Sequence, residues 1–333
     1  MSTDDPLTTE LGTRSRAGIR GFRGGDGPRV VEAWRRSLPA DPITRDRFRS
    51  LVLLDANFDP EGLRIAVDGD RVVGAAYAVR RLTPLYGTDL EPRQGWLPFF
   101  FVDPVARGRG LGRRLLTDAL DWLHGHGRTR VDFSSYTPNY VLPGLDAAAY
   151  PEAAGLLSSL GFRTRYEAAA MDRGLVGYRL PAEVARRVDE LAAQGYRFAT
   201  PSDDDLVELI ALAGSRFDPD WARAIRECLL AGARPDRIVV ARAPSGRLVG
   251  WAMHGAYAST DERFGPFGVV EEMRGNGLGG VLLHLVLERM RAHGAHSAWF
   301  LWTGERSPAG RLYRKAGFGT TRVFQVMRRE ATR

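Results

Sequence analysis

The sequence predicts a mixed α/β fold built twice over, each half a mixed, mostly antiparallel sheet flanked by helices. Three observations carry this prediction. The hexamer RGRGLG at Arg107–Gly112 recurs almost unchanged as RGNGLG at Arg274–Gly279, 167 residues further along a chain of 333. Each copy follows a set of short β-rich runs and opens an amphipathic helical stretch. The segments around the two hexamers come in the same order, so the repeat extends over whole domains.

Taken in order, Arg64–Ala78 and Arg237–His254 read as hairpins that turn at Asp68-Gly69-Asp70 and Pro244-Ser245-Gly246. A further apolar strand follows each, Trp96–Val102 and Phe264–Val270. The glycine hexamer comes next, then a helix. In the first helix Leu111, Leu115, Leu116, Leu120 and Leu123 fall on one face, and Gly127 and Gly294 stop the two helices. Strands beginning at Arg130 and Ser297 follow, then a short helix ending in Gly161-Phe162 or Gly317-Phe318, then a closing strand. Pro181–Gly195 reads as a helix with proline at its start and glycine past its end. The domain junction is therefore expected near Gly174, with a disordered tail over 1–17, a first domain over 18–173 and a second over 174–333.

Composition narrows the function classes. With 44% apolar and 26% charged residues the chain reads as an ordinary globular protein. It has no apolar run of the length a membrane span needs and no secretory leader, so cytoplasm is the expected compartment. A single cysteine, Cys228, excludes an internal disulfide and reads as a small core residue. No spacing of His, Cys and carboxylates suggests metal. The net charge is +7, yet the arginines are scattered, so a site for a polyanionic ligand is expected rather than nucleic acid. A monomer or a homodimer fits equally.

A strand that runs through glycines into a helix presents free backbone N–H groups at a helix N-terminus, where the dipole adds partial positive charge. Such a loop suits a phosphate or pyrophosphate. The second copy fits the dinucleotide fingerprint through Gly275, Gly277 and Gly280, but Arg113 breaks it in the first, and both loops follow several strands rather than the first. Neither hexamer carries the lysine of a nucleotide-triphosphate loop.

Both copies do fit Arg-x-x-Gly-x-Gly between strands and an amphipathic helix. In Phe101–Leu116 and in Leu312–Phe318 (LYRKAGF) the chain resembles the GNAT superfamily of N-acetyltransferases, as a tandem member with two GNAT-like domains. The resemblance implies that each loop holds the pyrophosphate of coenzyme A and that acetyl-CoA is the acyl donor. It places the cofactor on Val269, Val270, Arg274, Gly275, Asn276, Gly277, Leu278 and Gly279. In the first copy it places it on Val102, Arg107, Gly108, Arg109, Gly110, Leu111 and Gly112.

It also implies acyl transfer to an amine, here expected to be the primary amine of a small molecule such as an aminosugar, antibiotic or metabolite. Tyr313, four residues before Gly317, is the expected acid for the leaving thiolate; the first copy has Leu157 at that place. The second half is therefore expected to be the catalytic one. The base is less marked. Glu305 after the strand is the candidate carboxylate, with a water relay as alternative and His254 as an outside candidate; Glu271 and Glu272 read as solvated. Between glycine loop and closing Gly-Phe the first copy is longer, 49 residues from Gly112 to Gly161 against 38 from Gly279 to Gly317. Tyr136, Asn139, Tyr140 and Asp146 in that insertion are candidate substrate contacts. Two other readings stay open: a catalytically weak acyl-CoA sensor or scaffold, and a protein or tRNA acetyltransferase.

Overall fold

A computed structural model describes residues 17–257 and 260–330. The expected N-terminal tail lies outside the described residues except for Ala17. By contact density the described residues separate into two compact units, one of 17–79 with 99–126, the other of 80–98 with the described residues from 127 to 330.

The first unit contains β1 (Gly18–Arg20), α1 (Asp26–Ser37), α2 (Arg45–Phe48), β2 (Leu63–Asp68), β3 (Arg71–Val79), the second half of β4 (Gln94–Val102) and α3 (Leu111–Gly125). β1, β2 and β3 are antiparallel neighbours, with Ile19 opposite Ala66 and Ile65 opposite Ala75. The tight turn between β2 and β3 uses Gly69 at φ 57°. All five leucines of the α3 stripe are buried; each such side chain contributes roughly 1.5–3 kcal/mol. Trp34 of α1 packs edge-on against Phe99 and Phe101 of β4, at 4.6 and 5.7 Å.

The second unit continues with β5 (Arg130–Phe133), α4 (Pro151–Ser159), β6 (Arg163–Gly174), α5 (Ala182–Ala193) and β7 (Arg197–Ala199). Then come α6 (Asp203–Arg216), α7 (Pro219–Leu230), β8 (Ile238–Arg242), β9 (Leu248–His254), β10 (Phe264–Val269) and α8 (Leu278–Ala292). β11 (Ser297–Thr303), α9 (Pro308–Lys315) and β12 (Gly319–Glu330) close it. β10, β9, β8 and β7 form an antiparallel sheet in that order. The first half of β4 runs parallel to β5, Leu97 beside Phe133, as a crossover connection requires.

The closing strands of the two copies are exchanged. β12, from the second copy, lies beside β5 of the first, with Met327 opposite Phe133. β6, from the first copy, lies beside β11 of the second, with Met171 opposite Phe300. Between them β6 and β12 pair antiparallel along nearly their whole length, from Arg163 opposite Arg328 to Asp172 opposite Gly319. Arg328 forks onto Asp132 of β5 (Nη2–Oδ2 2.8 Å), which ties the exchange in charge as well as in main-chain bonds.

Both glycine-loop helices start alike. Gly110 and Gly277 cap α3 and α8 in the left-handed region, at φ 74° and 77°, which a side chain with Cβ adopts only under strain. Each helix is 15 residues long. Cys228 of α7 is buried among Leu209, Ile225, Val240 and Trp251, and burial pushes its thiol up to about 11.

Candidate active site

β10 and β11 touch at a single parallel bridge, Arg263 beside Trp299, where the Trp299 amide donates to the Glu262 carbonyl at 3.0 Å. Beyond it the strands part, since β10 is the edge of one sheet and β11 the edge of the other. A cavity of about 590 Å³ opens in this splay. The glycine loop and the start of α8 close one end. Leu312 and Tyr313 of α9 form a side. Tyr140, Phe217, Trp221, Tyr257 and Arg263 also line the cavity.

Val269, Arg274, Gly275, Gly277, Leu278 and Gly279, named from the sequence, line this cavity. The main-chain amides of 275–280 meet no acceptor among the described residues, and those of 275 and 277–280 belong to residues that line the cavity. The next amide, Val281, is taken by the Gly277 carbonyl at 3.1 Å. Arg274 folds its Nε toward the Val269 carbonyl (3.4 Å) and still borders the cavity. Two expected residues sit differently. Val270 is buried and its amide is spent on the Val249 carbonyl, at 3.0 Å. Asn276 is exposed, and its carbonyl accepts from Arg187 Nη2 at 2.9 Å. Arg187 thus brings a second guanidinium to the loop. It stands on α5, and the sequence reading missed it.

The first copy's loop repeats the geometry. Gly108 and Gly110 are left-handed at φ 76° and 74°, and the amides of 108–112, including Arg109, Leu111 and Gly112, meet no acceptor among the described residues. Arg107 donates to the Val102 carbonyl at 3.1 Å and to the Ser37 carbonyl at 3.0 Å. The arginine of each loop therefore braces the end of the preceding strand.

Tyr313 lies in an aromatic cluster, with ring centroids 4.4 Å from Phe300, 5.7 Å from Phe318 and 5.9 Å from Phe264. Its hydroxyl makes no hydrogen bond among the described residues, and burial raises its pKa, so it stays protonated. In the first copy Leu157 occupies the same station. The Phe162 amide donates to the Leu157 carbonyl at 3.1 Å, as the Phe318 amide does to the Tyr313 carbonyl at 3.0 Å. Leu157 is fully buried.

The other candidates are distributed unevenly. Glu305 does not line the cavity; its carboxylate accepts from the Thr320 hydroxyl at 3.1 Å and faces Arg314 at 3.5 Å. His254 is fully buried, set between the Asp261 carbonyl at 2.8 Å and His293 at 3.3 Å, and burial lowers its pKa. Of the four insertion candidates, Tyr140 alone borders the cavity, with Pro143 of the same segment. Tyr136 is buried under Trp96 and the Arg81 guanidinium. Asn139 is half-buried and away from the lining. Asp146 accepts the amides of Ala148 and Ala149 at 3.0 Å and pairs with Arg322 at 2.8 Å, pinning the insertion to β12. Behind Tyr140, Asp220 of α7 accepts from the Tyr257 hydroxyl at 2.9 Å and forks with Arg223. No described helix is long and apolar enough to cross a membrane.

Comparison with known proteins agrees with this geometry. The family described as Acetyltransferase (GNAT) family matches the chain twice, over 28–141 and 204–318. Curated proteins gave no match. Among solved structures, the chain resembles the glucosamine N-acetyltransferase region of a fungal multi-domain GH3 beta-N-acetylglucosaminidase, at 20% identity and TM-score 0.78; the match covers 98% of this chain but only 39% of that one. A GCN5-related N-acetyltransferase from Sphaerobacter thermophilus aligns at 18% identity and TM-score 0.71, over 94% of this chain and 95% of that one. A tandem GNAT protein from the clavulanic acid biosynthesis pathway aligns at 18% identity and TM-score 0.62, over 96% and 99%. These identities speak to the fold. The doubled family match, on two copies of one strand–glycine loop–helix unit, establishes that the chain belongs to the GNAT family of N-acetyltransferases as a tandem member.

Proposed function

We propose that the second copy binds acetyl-CoA through the amides of 275–280, with Arg274 and Arg187 nearby, and transfers the acetyl group to the primary amine of a small molecule. One observation carries the reading: five residues whose main-chain amides meet no acceptor among the described residues, Gly275 and Gly277 to Gly280, line the same cavity as Tyr313, whose hydroxyl makes no hydrogen bond among them. The donors and the open left-handed glycines fit a pyrophosphate, since a Cβ at Gly275 would itself meet nothing within 4 Å. Acetyl-CoA supplies an activated acetyl thioester. In this reading Tyr313, packed against Phe300, gives its proton to the departing sulfur. Glu305, tied to Thr320 and Arg314, does not enter this scheme as the base. Tyr140 contributes to the acceptor end.

For the first copy we propose coenzyme A binding without turnover, because Leu157 stands where the acid would be. The test is titration of acetyl-CoA into the protein followed by release of free thiol with a panel of amines. Binding with thiol release supports the reading; binding without release from any amine favours a sensor or scaffold; no binding removes both.

A further inference from the structure

We propose that the acceptor of the second copy's cavity is an arylamine, a weakly basic nitrogen carried directly on a flat aromatic ring. This rests on the acyl-transfer reading above and names its substrate class.

The first support is the aromatic wall. Phe217 and Trp221 line the cavity and stack with centroids 5.6 Å apart and planes 21° apart. Tyr140 and Tyr257 meet edge-on at 6.2 Å. Both tyrosine hydroxyls turn to Asp220, at 3.4 and 2.9 Å, so the rings rather than the polar tips shape the cavity. Asp220 itself is buried behind that wall and does not line the cavity, its charge met by Arg223 at 2.8 and 2.7 Å. A flat aromatic body stacks well between such faces, whereas a polyhydroxylated or polycationic one leaves its polar groups unpaired.

The second support is the charge of the wall. Its charged side chains are Arg263 and Arg274, and no Asp, Glu or His lines the cavity among the described residues. The acidic groups nearby in sequence face elsewhere, Asp261 onto Arg237 at 2.8 Å and Glu305 onto Arg314 and Thr320. With Arg274 beside the pyrophosphate, an amine that enters protonated meets the like charge of Arg263 and no carboxylate or imidazole in the lining to take its proton. An ordinary aliphatic amine, with a pKa near 10.4, is neutral in about one molecule in 2,500 at pH 7. An arylamine is already neutral, because its lone pair is delocalised into the ring. The missing base and the aromatic wall thus select the same molecule. A carboxylate on the ring would find Arg263, whose guanidinium sits 4.3 Å from the Tyr257 ring centre.

The chemistry balances without a further reactant. The nitrogen–carbon bond forms and the carbon–sulfur bond breaks. Tyr313 protonates the sulfur, the proton lost by nitrogen passes to solvent, and solvent restores Tyr313. The products are an amide and a free thiol, and nothing is oxidised or reduced.

The test uses the full chain with 4-aminobenzoate, aniline, glucosamine, spermidine and a lysine peptide at saturating acetyl-CoA, read by thiol release. A parallel titration follows 4-aminobenzoate binding without acetyl-CoA. The expected kcat/KM for 4-aminobenzoate exceeds that of every aliphatic amine by at least about tenfold and is flat from about pH 6 to about pH 9. Trp221→Leu is expected to weaken 4-aminobenzoate binding by about tenfold, the scale of one aromatic contact, with acetyl-CoA affinity unchanged. If that variant does not fold, Tyr140→Leu, on a different element, is read instead. Preference for an aliphatic amine with acetyl-CoA bound overturns the arylamine proposal and leaves acyl transfer standing. Failure of acetyl-CoA to bind overturns both.

Discussion

Tyr313→Phe tests the proposed acid. The substitution keeps the ring and therefore the contacts with Phe264, Phe300 and Phe318, at centroid distances of 5.9, 4.4 and 5.7 Å. It removes a hydroxyl that makes no hydrogen bond among the described residues, so no partner is orphaned. Stability should change by less than about 1 kcal/mol, with a slight gain as reasonable as a slight loss. Turnover should fall by about 10²–10⁴, the usual contribution of a general acid, which is about 3–5 kcal/mol of barrier. Thiol release at saturating acetyl-CoA gives kcat, acetyl-CoA titration gives affinity, and a melting curve controls for the fold. The wild-type pH profile provides a second check. Burial raises the Tyr313 pKa above its ordinary 10.0, and the protonated form is the active donor. The donor is therefore fully present at neutral pH, and wild-type kcat should show no alkaline fall from this group below about pH 10. A Tyr313→Phe protein with unaltered kcat and an intact melt would remove the hydroxyl from the chemistry.

The remaining predictions concern the loop, the acid side of stability and the exchanged strands. Gly277→Glu, made with Gly110→Glu so that the first loop cannot mask the result, should lower acetyl-CoA affinity at least about 100-fold. It forces a side chain into φ 77° beside Arg187 Nε, at a cost of about 1–2 kcal/mol, and sets a carboxylate where a pyrophosphate is expected; an undiminished titration would contradict this. Asp205 is held down to about 2, first by the Ser202 amide and then by Arg242 and the Ser202 hydroxyl. A lowered carboxylate pKa contributes stability above the ordinary value of 3.8 and loses it as pH falls toward 2. Asp205→Asn should therefore cost about 1 kcal/mol at pH 7 after solvent screening and nearly nothing near pH 2, as read by urea melts at both pH values. A fragment of residues 1–173 should fail to give a folded monomer, because β5 loses β12 and β6 loses both of its neighbours. Gel filtration with circular dichroism decides it, and a monomer that melts cooperatively would refute the dependence.

Much of this molecule was written in short-range pattern. The α3 leucines are buried as their spacing requires, and β11 runs from Ser297 to Thr303 as the sequence suggested. Gly110 and Gly277 stand at the N-termini of α3 and α8, where the repeated hexamer was expected to open each helix. Counting back from Gly-Phe placed Leu157 and Tyr313 at equivalent stations, and the same hydrogen bond confirms that equivalence. These features depend on side-chain periodicity, on the torsional freedom of glycine and on spacing within one element, all of which a linear sequence carries.

The pairings between distant segments were not written there. Two copies of one unit offer each closing strand two partners of equal local merit, its own β5-type strand or the other copy's. The ladder itself is main-chain hydrogen bonding, blind to which copy supplies it. Packing across more than a hundred residues of chain decides the matter, and it sets β12 beside β5 and β6 beside β11. The same long-range packing brings Tyr140 from the first copy's insertion, and Arg187 from α5, to the second copy's cavity and loop, while Tyr136 and Asp146 turn inward as supports. The sequence by itself determined the repeated unit, its glycine-opened helices and the residue types available for acyl transfer. Only the tertiary structure decided which of those residues share a cavity, because proximity between remote segments is set by packing and not by periodicity.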